Sequence, residues 1–227
     1  HIDGKLLRCL DAKSLTNAFR QLVLYCWAKQ FLRLQHYDLH EENVIIESKS
    51  GRVVVLDYGL AGKNDKLEWQ SDKLRHETGC ADHSALQKLY VWMCGKGAEF
   101  PQEIKRFFRE HENNFLSSQD WMMLAFQSGF SREFLWEYAL GLLPEFVAKE
   151  FAADFKTPSS ALFQKINSFF WKFDGVAHKG FMRGSPLALY DVAVLLSAFL
   201  PSPFDACLSW IIQSGGLVRY QWETLSL

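Results

Sequence analysis

Two runs of β-branched residues, Val44-Ile45-Ile46 and Val53-Val54-Val55-Leu56, carry the only strong sheet signal in this 227-residue chain. The stretch between them, Glu47-Ser48-Lys49-Ser50-Gly51, is polar and ends in glycine, which predicts a hairpin turn and one small antiparallel ribbon. A two-stranded ribbon is marginal on its own in water, so this one must lie on an apolar surface supplied by helices. From Ser14, read as an N-cap, to about Leu34, the residues Leu15, Phe19, Leu22, Val23, Cys26, Phe31 and Leu32 recur mostly three or four apart. That spacing predicts an amphipathic helix of about five turns. Gly59 to Gly79 is polar, of mixed charge and without a period, and reads as a long loop of the kind that is usually functional in a compact domain. Beyond Ala81 the pattern is helical, in pieces broken at Gly95, Pro101, Ser117-Ser118, Gly129, Pro144, Thr157-Pro158, Gly175, Gly180, Pro186 and Pro201. The expected fold class is mainly α with one small β-hairpin.

Composition narrows the function classes. With 48% hydrophobic and 22% charged residues the chain can bury a core, which excludes disorder. Its 25 basic and 26 acidic residues leave a formal charge of -1, so no net field draws it to nucleic acid or anionic lipid. Cys9, Cys26, Cys80, Cys94 and Cys207 are scattered and never form a Cys-x-x-Cys pair, which argues for packed thiols in a reducing compartment over a zinc or disulfide framework. The longest apolar stretch, Val192 to Leu200 with Ser197 inside it, falls short of the roughly 18 residues of a membrane span. No signal peptide opens the chain, and an intracellular protein without a membrane span is expected. His1-Ile2-Asp3-Gly4 reads as the interior of something longer, a fragment or processed product.

The chemistry is concentrated in His36-Tyr37-Asp38-Leu39-His40-Glu41-Glu42-Asn43, followed by the ribbon and then Asp57-Tyr58-Gly59. The two ends of an antiparallel hairpin lie side by side, so Asn43 and Asp57 are brought together despite being 14 positions apart. Converging hard oxygen ligands suit Mg²⁺, which takes carboxylates together with phosphate oxygens and water. Asp38, five positions before Asn43, is then placed to orient an attacking hydroxyl and accept its proton. Taken singly, Asp57 before Gly59 reads equally well as a turn residue and Asp38-Leu39 as a loop cap. The combination with the intervening ribbon is what carries the signal.

This arrangement resembles the catalytic core of the protein-kinase-like superfamily: His-x-Asp-x-x-x-x-Asn as catalytic loop, Asp-x-Gly as metal-binding turn, and a hairpin between them. The segment Ala81 to Gly95 is similar to the buried helix that follows the activation segment in kinases, whose leading acid, here Asp82, holds the catalytic-loop backbone. Leu86, Leu89, Tyr90 and Met93 form its expected apolar face. The chain departs from ordinary Ser/Thr/Tyr kinases in its short intervening segment and its lack of an Ala-Pro-Glu motif. His40 resembles two atypical branches, the AarF-domain (UbiB/ADCK) kinases and the aminoglycoside/choline phosphotransferases, which usually read His-x-Asp-x-His-Pro-x-Asn. Glu41-Glu42 stands here where Pro-Gly is common. Ile2-Asp3-Gly4-Lys5-Leu6-Leu7 resembles the hinge segment of the AarF-domain family, to which the chain is most similar.

The resemblance implies the large (C-terminal) lobe of a protein-kinase-like fold. Residues 1–100 would be its core, comprising hinge end, helix, catalytic loop, metal-binding turn and buried helix, and residues 101–227 the helical remainder with a family-specific extension. It implies ATP and Mg²⁺ as cofactors. Asn43 and Asp57 are the metal ligands, Asp38 the catalytic acid/base, Asp3 the edge of the adenine site and Ile45 its floor. His36 is expected to pack under the loop and bond its backbone, and His40 to make either a structural hydrogen bond or a phosphate or substrate contact. The superfamily's small N-terminal lobe, with its phosphate-pairing lysine, is missing; Lys5, Lys13 and Lys29 read as solvated surface lysines. The chain alone is therefore expected to bind Mg-ATP weakly or not at all, and the complete protein to be a kinase or ATPase. The alternatives are a small-molecule phosphotransferase and a catalytically inactive pseudokinase that docks a partner. Phe107, Phe108, Trp121, Phe126, Phe130, Trp136, Phe169, Phe170 and Trp171 read as core. The AarF-domain resemblance implies an acceptor that is a protein, a small molecule or a lipid or quinone, in mitochondria, plastids or bacteria.

Overall fold

The computed structural model describes residues 3–31, 34–63, 81–111, 116, 118–143, 145–156, 160–166, 168, 195–196 and 198–200. Among them the chain is mainly helical with a small three-stranded antiparallel sheet. It divides into two compact units, His1–Arg132 and Glu133–Leu227.

In the first unit the long helix α1 spans Ala12–Phe31. Its cap is Asp11, whose carboxylate accepts from the Ser14 amide at 2.8 Å. This corrects the reading of Ser14 as N-cap: Asp11 lies one residue outside the helix and its anion meets the free N–H groups there. That bond also holds the Asp11 carboxyl below its ordinary range. Leu15, Ala18, Phe19, Leu22, Val23, Cys26 and Trp27, spaced at three and four, are all buried on the face the periodicity marked.

The predicted ribbon is present as β3 (Val44–Glu47) and β4 (Val53–Val55), antiparallel with Val44 opposite Val55 and Ile46 opposite Val53. Its turn closes with the Gly51 amide on the Glu47 carbonyl, and Gly51 takes φ 67°, a left-handed conformation that suits glycine. Gln21 of α1 clamps the ribbon, donating to the Gly51 carbonyl and accepting from the Val53 amide, each at 2.9 Å. A third strand, β1 (Gly4–Leu6), pairs with the other edge of β3 and was not legible in three residues of sequence. Gly4 is required there: a Cβ would stand 2.4 Å from Ile45 Cγ2 and 2.6 Å from the Ile46 carbonyl oxygen. In the segment read as a loop, Tyr58–Leu60 form a 3₁₀ turn, and β5 (Gly62–Lys63) pairs with β2 (Leu34–Gln35). The rest of that segment lies outside the described residues.

Helix α2 (Ala81–Gly95) buries Leu86, Leu89 and Met93 against α1, with Tyr90 half-buried beside them. Helices α3 (Gln102–Glu110) and α4 (Ser118–Gln127) complete the unit. An aromatic cluster joins α1, α2 and α3: the Phe19 ring lies 4.9 Å from Phe100, and Tyr90 stacks on Phe108 at 4.5 Å. Phe107, Phe108 and Trp121 are buried as expected, while Phe126 and Phe130 are partly covered.

The second unit holds most of α5 (Arg132–Leu142), then α6 (Glu145–Phe151), a 3₁₀ turn at Asp154–Lys156 and a helical stretch at 160–166. Leu135, Trp136, Val147, Phe151, Leu162 and Ile166 are buried, and Trp136 meets Phe199 edge-on at 4.9 Å. Phe169, Phe170 and Trp171 lie outside the described residues. Cys9, Cys26 and Cys94 are free thiols, and among the described residues no helix is long and apolar enough to cross a membrane.

Candidate functional site

The loop from His36 to Asn43 connects β2 to β3, and its backbone is pinned at the start by a residue more than 40 positions away. The carboxylate of Asp82, in the first turn of α2 and 3% exposed, accepts from the His36 amide at 3.0 Å with each oxygen and from the Tyr37 amide at 3.3 Å. Its own amide donates to Gln35 Oε1 at 3.2 Å. Burial pushes the Asp82 carboxyl up, and the two amides at His36 and Tyr37 oppose that shift. Tyr37 sits at φ 63°, a conformation that costs a bulky residue about 1–3 kcal/mol and persists only where neighbours enforce it. The Asp82 bonds to the His36 and Tyr37 amides hold the backbone entering that residue, and the Asp38 amide on His36 Nδ1 holds the backbone leaving it.

His36 is fully buried beneath the loop. Its Nδ1 accepts from the Asp38 amide at 3.3 Å and its Nε2 donates to the Leu56 carbonyl at 2.7 Å, which assigns the neutral tautomer with the proton on Nε2. The second bond links the loop to the residue just before Asp57. Asn43 forms the next link. Its side-chain amide nitrogen donates to the Asp38 carbonyl at 2.9 Å and to Asp38 Oδ2 at 3.1 Å, and its backbone carbonyl accepts from the Leu56 amide at 2.7 Å. With the nitrogen committed to Asp38, the free ligand atom of Asn43 is its oxygen.

Asp38 is 39% exposed at the side chain, open to an incoming acceptor. His40 Nε2 lies 3.7 Å from Asp38 Oδ2, and His40 Nδ1 accepts from the Glu42 amide at 3.3 Å, so the Nε2 proton faces the carboxylate. Asp57 adopts φ 55° and ψ 70°, and its Oδ1 accepts from the Gly59 amide at 3.2 Å, leaving the second oxygen for another partner. Asp38 and Asn43 are thus bonded to each other, with His40 Nε2 3.7 Å from the shared carboxylate. Asp57 is tied to them through Leu56, whose two backbone groups bond His36 and Asn43.

Comparison of the chain with family models, with curated proteins and with solved structures finds no match.

The two residues assigned to the adenine site stand apart from this loop, on the sheet. The Asp3 carbonyl accepts from the Ser48 amide at 2.9 Å, and Ile45 is half-buried on the central strand β3. Two features were not anticipated. Glu42 pairs with Arg8 in the 3₁₀ turn Leu7–Cys9, joining that turn to the loop from His36 to Asn43. Lys29, read as a solvated lysine, is 9% exposed, with its ammonium 4.5 Å from the centre of the Tyr58 ring and 5.4 Å from that of Tyr25. The reason is local: the two tyrosines, bonded hydroxyl to hydroxyl at 3.2 Å, wall the ammonium in. Burial holds that ammonium below the ordinary lysine range, with Asp82 and Cys26 pulling the other way.

The donor chemistry fits Mg²⁺. Among the described residues no group of three or more His, Cys, Asp or Glu side chains gathers at metal-holding distance. One amide oxygen and one carboxylate are what Mg²⁺ takes from a protein when phosphate and water complete its octahedron.

Proposed function

We propose that the chain is the C-terminal lobe of an atypical protein-kinase-like phosphotransferase or ATPase, most like an AarF-domain kinase, acting on Mg-ATP in the full-length protein. The observation that carries this reading is the double tie of the loop: Asp82 holds the His36 and Tyr37 backbone from one side, and His36 holds Leu56, next to Asp57, from the other. A chance occurrence of two short motifs gives no reason for a buried acid and a buried imidazole to link both of them.

Asn43 orients Asp38 by donating to its Oδ2, so one carboxylate lone pair is directed and the rest of the group is left for an acceptor hydroxyl or water. Asp38 takes that proton as the acceptor attacks phosphorus. His40 faces the same carboxylate with an N–H, its Nε2 3.7 Å from Asp38 Oδ2. Asn43 Oδ1 and the Asp57 carboxylate would hold the metal, which when bound neutralises charge on the phosphate oxygens. Asp57→Asn and Asp38→Asn in the full-length protein should each lower Mg-dependent ATP turnover, by about 10²–10⁴-fold for the base. Unchanged turnover in both variants would overturn the assignment of these residues.

A further inference from the structure

A buried ammonium is an expensive group, and a methionine or leucine would fill the same volume without its desolvation cost. Lys29 nevertheless places one at the end of α1, where it makes no hydrogen bond or ion pair among the described residues. What touches it is two aromatic faces, the nearer that of Tyr58, while the buried Asp82 carboxylate attracts it from beyond ion-pair distance. Tyr58 directly follows Asp57 and is 47% exposed, so packing alone holds it loosely. Three contacts fix it instead: the Lys29 ammonium on its face, the Tyr25 hydroxyl 3.2 Å from its own, and the His36 ring edge-on at 4.9 Å. His36 is itself fixed to Leu56, so the ring on one side of Asp57 and the backbone on the other are both anchored. The left-handed backbone of Asp57, which the bond from the Gly59 amide to its own Oδ1 favours locally, lies between these anchors and is held from both sides.

We infer that Lys29 is a positioning residue for the metal: its ammonium holds the Tyr58 ring and thereby fixes the adjoining backbone of Asp57, whose carboxylate the metal assignment pairs with Asn43. The inference rests on the metal assignment made above. It gives the buried lysine a task that apolar packing could not perform, since an alkyl chain attracts a ring face far less than a cation does.

The test uses this chain and Mn²⁺ alone as the probe, following paramagnetic broadening of the Asn43 side-chain amide and the Gly59 amide in a titration. Lys29→Met should weaken Mn²⁺ binding by roughly three- to tenfold. Lys29→Arg, which keeps a cation for the ring, should restore most of it. Tyr58→Phe should bind nearly as the parent does, and Tyr58→Leu as weakly as Lys29→Met. The half-exposed Tyr58 variants keep the test open if Lys29→Met fails to fold. Tighter binding in Lys29→Met, the result of simply removing a like charge near the metal, overturns the inference. So does weakening that Lys29→Arg leaves unrepaired, or unchanged binding in Lys29→Met and Tyr58→Leu while Asp57→Asn abolishes it. If Asp57→Asn binds Mn²⁺ as the parent does, the metal assignment itself fails and the role of Lys29 falls with it.

Discussion

Replacing Asp82 removes the buried acceptor that fixes the start of the loop from His36 to Asn43. In Asp82→Ala the His36 and Tyr37 amides, both bonded to the buried carboxylate, lose their acceptor. A buried unsatisfied N–H costs about 1–3 kcal/mol, so two cost about 2–6 kcal/mol. Removing a carboxyl whose burial already disfavours its charge returns part of that, and a net loss of about 2–4 kcal/mol is expected. Asp82→Asn keeps one acceptor oxygen but loses the charge and should cost about 1–2 kcal/mol. The strained Tyr37 backbone should then relax out of its left-handed conformation, so the effect is local as well as global. Urea unfolding gives the stability, and amide hydrogen exchange at His36 and Tyr37 gives the local release. An Asp82→Ala protein with an unchanged urea midpoint, and with both amides protected as in the parent, would refute the clamp.

Other outcomes follow from the same geometry. His83 is 6% exposed, its Nε2 has no hydrogen-bond partner among the described residues, and burial, with a smaller contribution from His111, lowers its pKa to about 4 against an ordinary 6.5. The unfolded chain protonates at this position as pH falls through 6.5 while the folded chain does not until about 4, so stability drops with falling pH across that window. The loss amounts to about 3 kcal/mol, and His83→Gln should flatten it in unfolding curves taken between those pH values; a profile identical to the parent's contradicts the assignment. Gly4→Ala should destabilise the sheet by about 1–3 kcal/mol, because its Cβ meets the backbone of β3 as well as a side chain; an unchanged thermal midpoint would show that β1 does not pack as described. Arg8→Ala should cost under about 1 kcal/mol, since both partners of the Arg8–Glu42 pair are half exposed, and that small effect should vanish in high salt.

How much of this was legible in the chain depends on the range of each interaction. The ribbon and α1 follow from periodicities within a few residues; the ribbon appears where the pattern put it, while α1 runs Ala12–Phe31 instead of Ser14 to about Leu34, which lies in β2. Asp82 meets the loop across 46 positions, and that contact was reachable from a resemblance, not from spacing. The cap shifted from Ser14 to Asp11 because both are good capping residues and only the backbone shows which lies at the boundary. Strand β1 is three residues long and carries no period, so it exists only because β3 offers it an edge. Lys29 was misread for a similar reason: Tyr25, one turn before it, covers one side, but the nearer ring is Tyr58, 29 positions on, which spacing within the helix does not reveal.

The most direct test of the metal assignment is a Mn²⁺ titration of the chain read at the Asn43 side-chain amide, in the parent and in Asp57→Ala. Shared ligation predicts selective broadening of that signal and of the Gly59 amide in the parent, and its loss in Asp57→Ala. Broadening that persists at Asn43 without Asp57, or that gathers at other carboxylates in the parent, would contradict it.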